Sequence, residues 1–77
     1  GDSAGGNMAT LIANAASAAG PAIIGQILFY PVTDLTASLP SYQRIQGGFP
    51  LVAESMLWFR EHYVPAGTPF DRPRLSP

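Results

Sequence analysis

Gly1-Asp2-Ser3-Ala4-Gly5-Gly6 decides how the rest of the chain is read, because a serine stands two residues from a glycine on either side and runs directly into helix-forming sequence. This G-x-S-x-G pattern fits a sharp strand-to-helix turn. There the serine is held in a strained backbone conformation, and only neighbours without side chains let the flanking segments pass so closely. On this reading Gly1 and Gly5 supply the room. A helix that starts just past the serine aims its unsatisfied N–H groups and positive dipole end at the turn, so the N–H of Ala4 is placed to donate to an oxyanion. Ser3 is the candidate nucleophile.

Two other glycine- and serine-rich patterns compete for the same residues. A phosphate loop, G-x-x-x-x-G-K-[S/T], would need Lys and then Ser or Thr where the chain has Asn7 and Met8. A trypsin-like G-D-S-G-G serine belongs to an all-β barrel, whereas the sequence that follows here is alanine-rich and helical. The elbow remains the reading that agrees with its context.

Outward from the motif, Ala4 to Ala19 is dominated by the strongest helix former and closes on Gly20-Pro21, a stop signal in the expected order. Met8, Leu11, Ile12, Ala15, Ala16 and Ala19 recur at three- and four-residue steps and predict one apolar face, small enough for close packing on a sheet. The nearly continuous apolar run Ile23 to Tyr30, ended by Pro31, predicts a strand buried on both faces, as in a parallel sheet between helices. Strand, elbow, helix and strand make one βαβ unit, and the fold class is α/β with a doubly wound, mostly parallel sheet.

Leu35 to Pro50 has neither helical nor strand periodicity and is expected as a loop, long enough to be a lid or binding element. A second helix is expected from Pro50 or Leu51 to a stop at Pro65-Ala66-Gly67. Val52, Met56, Phe59 and Tyr63 lie on one face, with Trp58 on another beside Glu54, Glu61 and His62. The tail, with three prolines in its last ten residues, is expected as a connector. Residues 1–34 are thus expected to form the elbow, helix and strand of a core, and residues 35–77 the long loop, the second helix and the connector.

Composition narrows the chemistry. The chain has 77 residues, a net charge of -1, no lysine and no cysteine. That removes the basic field that nucleic-acid or anionic-membrane binding requires, and any disulfide framework or thiolate metal site. A single histidine does not build a metal site. No apolar run approaches the roughly 18 residues of a membrane span. Small-molecule chemistry is favoured, with no metal or organic cofactor implied, and compartment and oligomeric state stay undetermined. Because the chain starts inside the motif, without the strand that leads into it, an excerpt from a longer protein is expected.

GDSAGGN at the start, QILFYPVTD some twenty residues on, ESMLWFREHYV and a closing RLSP together resemble the hormone-sensitive-lipase-like branch of the α/β hydrolases, over nearly the whole chain. The final motif, DRPRLSP, carries an extra Arg72 relative to that branch's D-P-R-x-S-P. The resemblance implies a carboxylic-ester hydrolase acting through a Ser-Asp-His triad on a small-molecule ester, with a cap over the acyl pocket. It implies an oxyanion loop before the elbow and a triad acid and base after Pro77. The order Ser3, Asp34, His62 imitates a complete triad. His62, however, falls inside the last turn of a helix, whereas the resemblance puts the base on a loop after the last strand and makes Asp34 a structural residue. Peptidase, thioesterase and amidase chemistry, or ligand binding without catalysis, use the same fold and stay open.

Overall fold

The computed structural model describes the backbone of residues 1–77 and the side chains of all but residues 17–19. Helix α1 spans Ser3–Ala19, α2 Ser41–Arg44 and α3 Ala53–Tyr63. Asp2 precedes α1 in an extended conformation, and Gly20 ends it with an N–H bond to the Ala16 carbonyl of 2.9 Å. Gly20 is not left-handed, so conformational freedom is not why glycine stands there. A Cβ at that position would lie 2.9 Å from the Ala16 Cα, and the chain can leave the helix this tightly only without one. The share of Ala19 in the expected apolar face lies outside the described side chains. Of the rest, Ile12 is exposed and Leu11 is half-buried.

Residues 1–3 and 27–29 run parallel. The N–H of Phe29 donates to the Gly1 carbonyl at 3.0 Å, the N–H of Ser3 to the Phe29 carbonyl at 3.0 Å, and the Gly1 amino group to the Ile27 carbonyl at 2.9 Å. Asp2 and Phe29 form the single parallel bridge recorded among the described residues. This is the parallel pairing that a βαβ unit requires. The buried strand expected over Ile23–Tyr30 is not formed, however. Only its Ile27–Phe29 end is paired, and Ile24, Ile27 and Tyr30 stand 105%, 75% and 77% exposed. A sheet strand is held by ladder bonds from neighbours and by layers on its faces; residues 1–3 supply one short edge, and among the described residues no layer covers Ile24 or Ile27.

The expected loop from Leu35 to Pro50 contains the short helix α2, entered through Pro40 in helical conformation and closed by the N–H of Ile45 on the Ser41 carbonyl. Helix α3 begins two or three residues later than expected. Val52 is extended and acts as N-cap, its carbonyl taking the N–H of Met56 at 3.2 Å, and Glu54 sits in the first turn where the helix dipole favours negative charge. Among the described residues no helix is long and apolar enough to cross a membrane.

Arg60 of α3 ties loop, helix and tail together. Its Nη1 donates to the carbonyls of Leu35 (3.2 Å) and Thr36 (3.4 Å), its Nη2 meets Glu61 at 3.0 Å, and its guanidinium lies 4.0 Å from the centre of the Phe70 ring. A planar fork with five donors can do all of this at once, where a lysine could not. Ser76 adds a second tie. Its hydroxyl accepts the N–H of Leu35 at 2.8 Å and donates to the Phe70 carbonyl at 2.6 Å.

Candidate active site

Ser3 has φ +49°, in the left-handed region that costs an L-residue with a Cβ roughly 1–2 kcal/mol. A neighbouring strained residue, Tyr30 with φ +38°, lies across from it. The elbow is clasped from that side: the N–H of Ser3 goes to the Phe29 carbonyl, and the Ser3 carbonyl accepts the N–H of Val32 at 3.2 Å. Strain at a serine that opens a helix is the geometry the motif anticipates. In the first turn of α1 the N–H of Gly6 reaches the Asp2 carbonyl at 2.9 Å. The N–H groups of Ala4 and Gly5 have no acceptor among the described residues, as expected of first-turn donors. The Ser3 hydroxyl likewise has no partner among the described residues.

The glycines divide differently from the expectation. A Cβ on Gly1 would stand 2.5 Å from the Gly5 carbonyl oxygen, so Gly1 is required. A Cβ on Gly5 would meet only an Asp2 carboxylate oxygen at 3.8 Å, an ordinary contact; the second tight position is Gly6 instead, 2.8 Å from the Pro31 Cβ and 3.0 Å from its Cα. The pattern's spacing singles out Gly5, but the approach of Pro31, 25 positions downstream of Gly6, is invisible in it. Gly6→Ala in the full-length protein is therefore expected to destabilise by about 1–3 kcal/mol through overpacking. Chemical denaturation would read this, and an unchanged midpoint would refute the contact.

Next to it, Asn7 is 4% exposed and spends both amide hydrogens on backbone: Nδ2 lies 2.6 Å from the Val32 carbonyl oxygen and 2.9 Å from that of Leu75. These partners lie 25 and 68 residues away. In the sequence Asn7 was only the last letter of a motif.

A cleft of about 540 Å³ opens between the start of α1 and α3. Ser3, Ala4, Asn7 and Met8 form one wall, Val32 and Leu35 the floor, and Leu51, Met56, Phe59, Arg60, His62 and Tyr63 the other wall. The expected stripe Met56, Phe59 and Tyr63 faces it, while Val52 of that stripe does not line it. The volume is that of a small-molecule site, and its lining is largely apolar, with Ser3 among the residues of one wall.

His62 was expected in the last turn of its helix, beside Trp58 and away from the stripe of Val52, Met56, Phe59 and Tyr63. It is exposed, yet it also lines the cleft. Its ring stacks on Trp58 at 3.9 Å, and its Nδ1 lies 2.8 Å from the Trp58 carbonyl oxygen. Asp34 does not reach it. The Asp34 carboxylate accepts the N–H of Thr36 at 2.7 Å, and hydrogen bonds from the Thr36 side chain and then its backbone hold the carboxyl below its ordinary value. Asp34 is thus a charged turn acceptor, and the two residues that imitate a triad in sequence are engaged elsewhere.

A serine with left-handed backbone at the head of a helix, paired backward to a parallel segment and lining an apolar cleft, agrees with an α/β hydrolase fold. The chain belongs to the hormone-sensitive-lipase-like α/β hydrolases: the model of a family with the α/β hydrolase fold matches residues 1–77. Among relatives, it is 43% identical over 83 residues to an ethyl acetate hydrolase of Pseudomonas putida, covering all of this chain and 25% of that protein. It is 38% identical over 84 residues to the carboxylic ester hydrolase LipN of Mycobacterium tuberculosis, again over all of this chain and 22% of the relative. It is also 30% identical over 77 residues to the gibberellin receptor GID1B of Arabidopsis thaliana, with the same coverage of 100% and 22%. The chain spans about a quarter of the length of the relatives it matches. No solved structure matches it.

Proposed function

We propose that the protein is a carboxylic-ester hydrolase in which Ser3 attacks the ester carbonyl, the alcohol leaves, and water then hydrolyses the acyl-enzyme. The observation that carries this is the left-handed Ser3 at the head of α1, which lines the cleft and whose hydroxyl has no hydrogen-bond partner among the described residues. The Ala4 N–H, without an intrahelical acceptor, is the donor we assign to the tetrahedral oxyanion. The triad acid and base are assigned to parts of the full-length protein other than Asp34 and His62, since Asp34 Oδ1 is bonded to the N–H of Thr36 and His62 Nδ1 to the Trp58 carbonyl, and neither is bonded to the other. Residues 1–34 act as the catalytic core segment and residues 35–77 as a cap wall and connector. Two relatives whose names are ester hydrolases support the reading. A panel of short acyl esters, long acyl esters and amides is expected to favour short-to-medium acyl esters. An amide preference beyond about tenfold, or about 1.4 kcal/mol, would overturn that assignment.

A second reading has one observation in its favour, the likeness to a protein named as a receptor. The same cleft would then hold a ligand without turnover. The intact Ser3 favours catalysis, because holding a ligand without turnover does not require a nucleophile at the head of the helix. Ligand binding with no turnover of any ester in the panel would favour the receptor-like reading.

A further inference from the structure

We propose that Asn7 is a positioning residue for the nucleophile, holding the Ser3 turn in register with the floor of the cleft; this rests on the reading of Ser3 as nucleophile. The two are joined through one residue, Val32. Its N–H is bound by the Ser3 carbonyl at 3.2 Å and its carbonyl by Asn7 Nδ2 at 2.6 Å, so a single peptide segment is gripped on both sides by residues four apart on α1. Gly6 lets that segment approach, since the space for its Cβ is filled by Pro31.

The second Asn7 hydrogen extends the grip. It goes to the Leu75 carbonyl, and the next residue, Ser76, takes the N–H of Leu35, whose side chain lines the cleft. Asn7, Val32, Leu35, Ser76 and Leu75 therefore close a ring of backbone and hydrogen bonds that begins one helical turn from Ser3. Both Asn7 donors are spent inside the protein. The residue acts on substrate only through where it holds Ser3, and a misplacement of about 1 Å at a reacting atom costs up to about 10²-fold in rate.

The test uses the full-length protein and a fluorophosphonate, which reports each competent site as the Ser3 oxygen bonds to phosphorus and fluoride leaves. Asn7→Ala removes both donors, and Asn7→Asp keeps the shape but turns a carboxylate toward two carbonyls. Both variants are expected to label to full stoichiometry with a rate constant lower by about 10- to 100-fold, and to lower kcat with KM within about twofold. Burial favours the neutral acid in Asn7→Asp, which regains one donor, so its labelling rate relative to wild type rises as pH falls. Reduced stoichiometry with a wild-type rate in the labelled fraction would overturn the proposal, because Asn7 would then be only structural. Failure of both variants to fold, or wild-type labelling by both, would overturn it as well. Labelling that persists in Ser3→Ala refutes the nucleophile itself and is a separate outcome.

Discussion

Ser3→Ala in the full-length protein is expected to lower kcat on p-nitrophenyl acetate by about 10⁴- to 10⁶-fold while leaving KM and the fold nearly unchanged. The substitution removes one oxygen. Among the described residues that oxygen has no hydrogen-bond partner, so its loss orphans nothing, and alanine occupies the same space at the head of α1. The backbone bonds that hold the turn, from Ser3 N–H to Phe29 and from Val32 N–H to Ser3, do not involve the side chain. A structural serine in this position would show the opposite pattern, with lower stability and activity lost only in proportion. Steady-state kinetics beside a denaturation curve separates the two, and retention of wild-type turnover would end the serine mechanism.

The same turn shows what a sequence discloses and what it hides. The elbow, the length of α1 and the Met56, Phe59, Tyr63 stripe of α3 are local matters of spacing, propensity and period, and these were legible. Gly6, Asn7 and Arg60 owe their roles to partners 24 to 68 residues away, or to a backbone passing within 3.0 Å, and no local pattern encodes that. The strand over Ile23–Tyr30 failed for a related reason. Its apolar run states a demand for neighbours on both edges and both faces, and a run cannot say which segments meet the demand. His62 fell between the two cases. Its helical position was right, yet it lines the cleft together with Met56, Phe59 and Tyr63 of the other face.

Asp34 and His62 illustrate how an order of residue types misleads. A triad requires the acid to orient the base and the base to reach the nucleophile. Here the Asp34 carboxylate is held ionised by Thr36, two residues on, and His62 turns Nδ1 toward a carbonyl of its own helix. A carbonyl oxygen can only accept, so Nδ1 carries the hydrogen and Nε2 of the neutral ring keeps its lone pair. His62 therefore lines the cleft without a bond to the Asp34 carboxylate, the partner that would stabilise an imidazolium during proton transfer.

The chain alone, expressed as a 77-residue polypeptide, is expected to show no cooperative melt and no ester turnover above background. Among the described side chains the buried hydrophobic one is Val64, while Ile24, Phe29, Tyr30, Phe49 and Trp58 each expose more than half their surface. Ordering costs about 1.5 kcal/mol per residue, and apolar burial returns about 25 cal/mol for each Å² removed from water. With so little burial the balance lies on the side of the unfolded chain. The polar ring through Asn7 and Ser76 and the fork of Arg60 do not reverse this, because each such bond exchanges for one to water and nets about 1 kcal/mol. Catalysis is expected to fail for an independent reason, since among the described residues no base is hydrogen-bonded to the Ser3 hydroxyl, which remains a weak nucleophile. A far-ultraviolet circular dichroism melt and an esterase assay on the purified polypeptide check both halves. A cooperative transition accompanied by turnover that disappears in His62→Ala would mean that the cleft holds its own base, and that the lone pair of His62 Nε2 is what Ser3 uses.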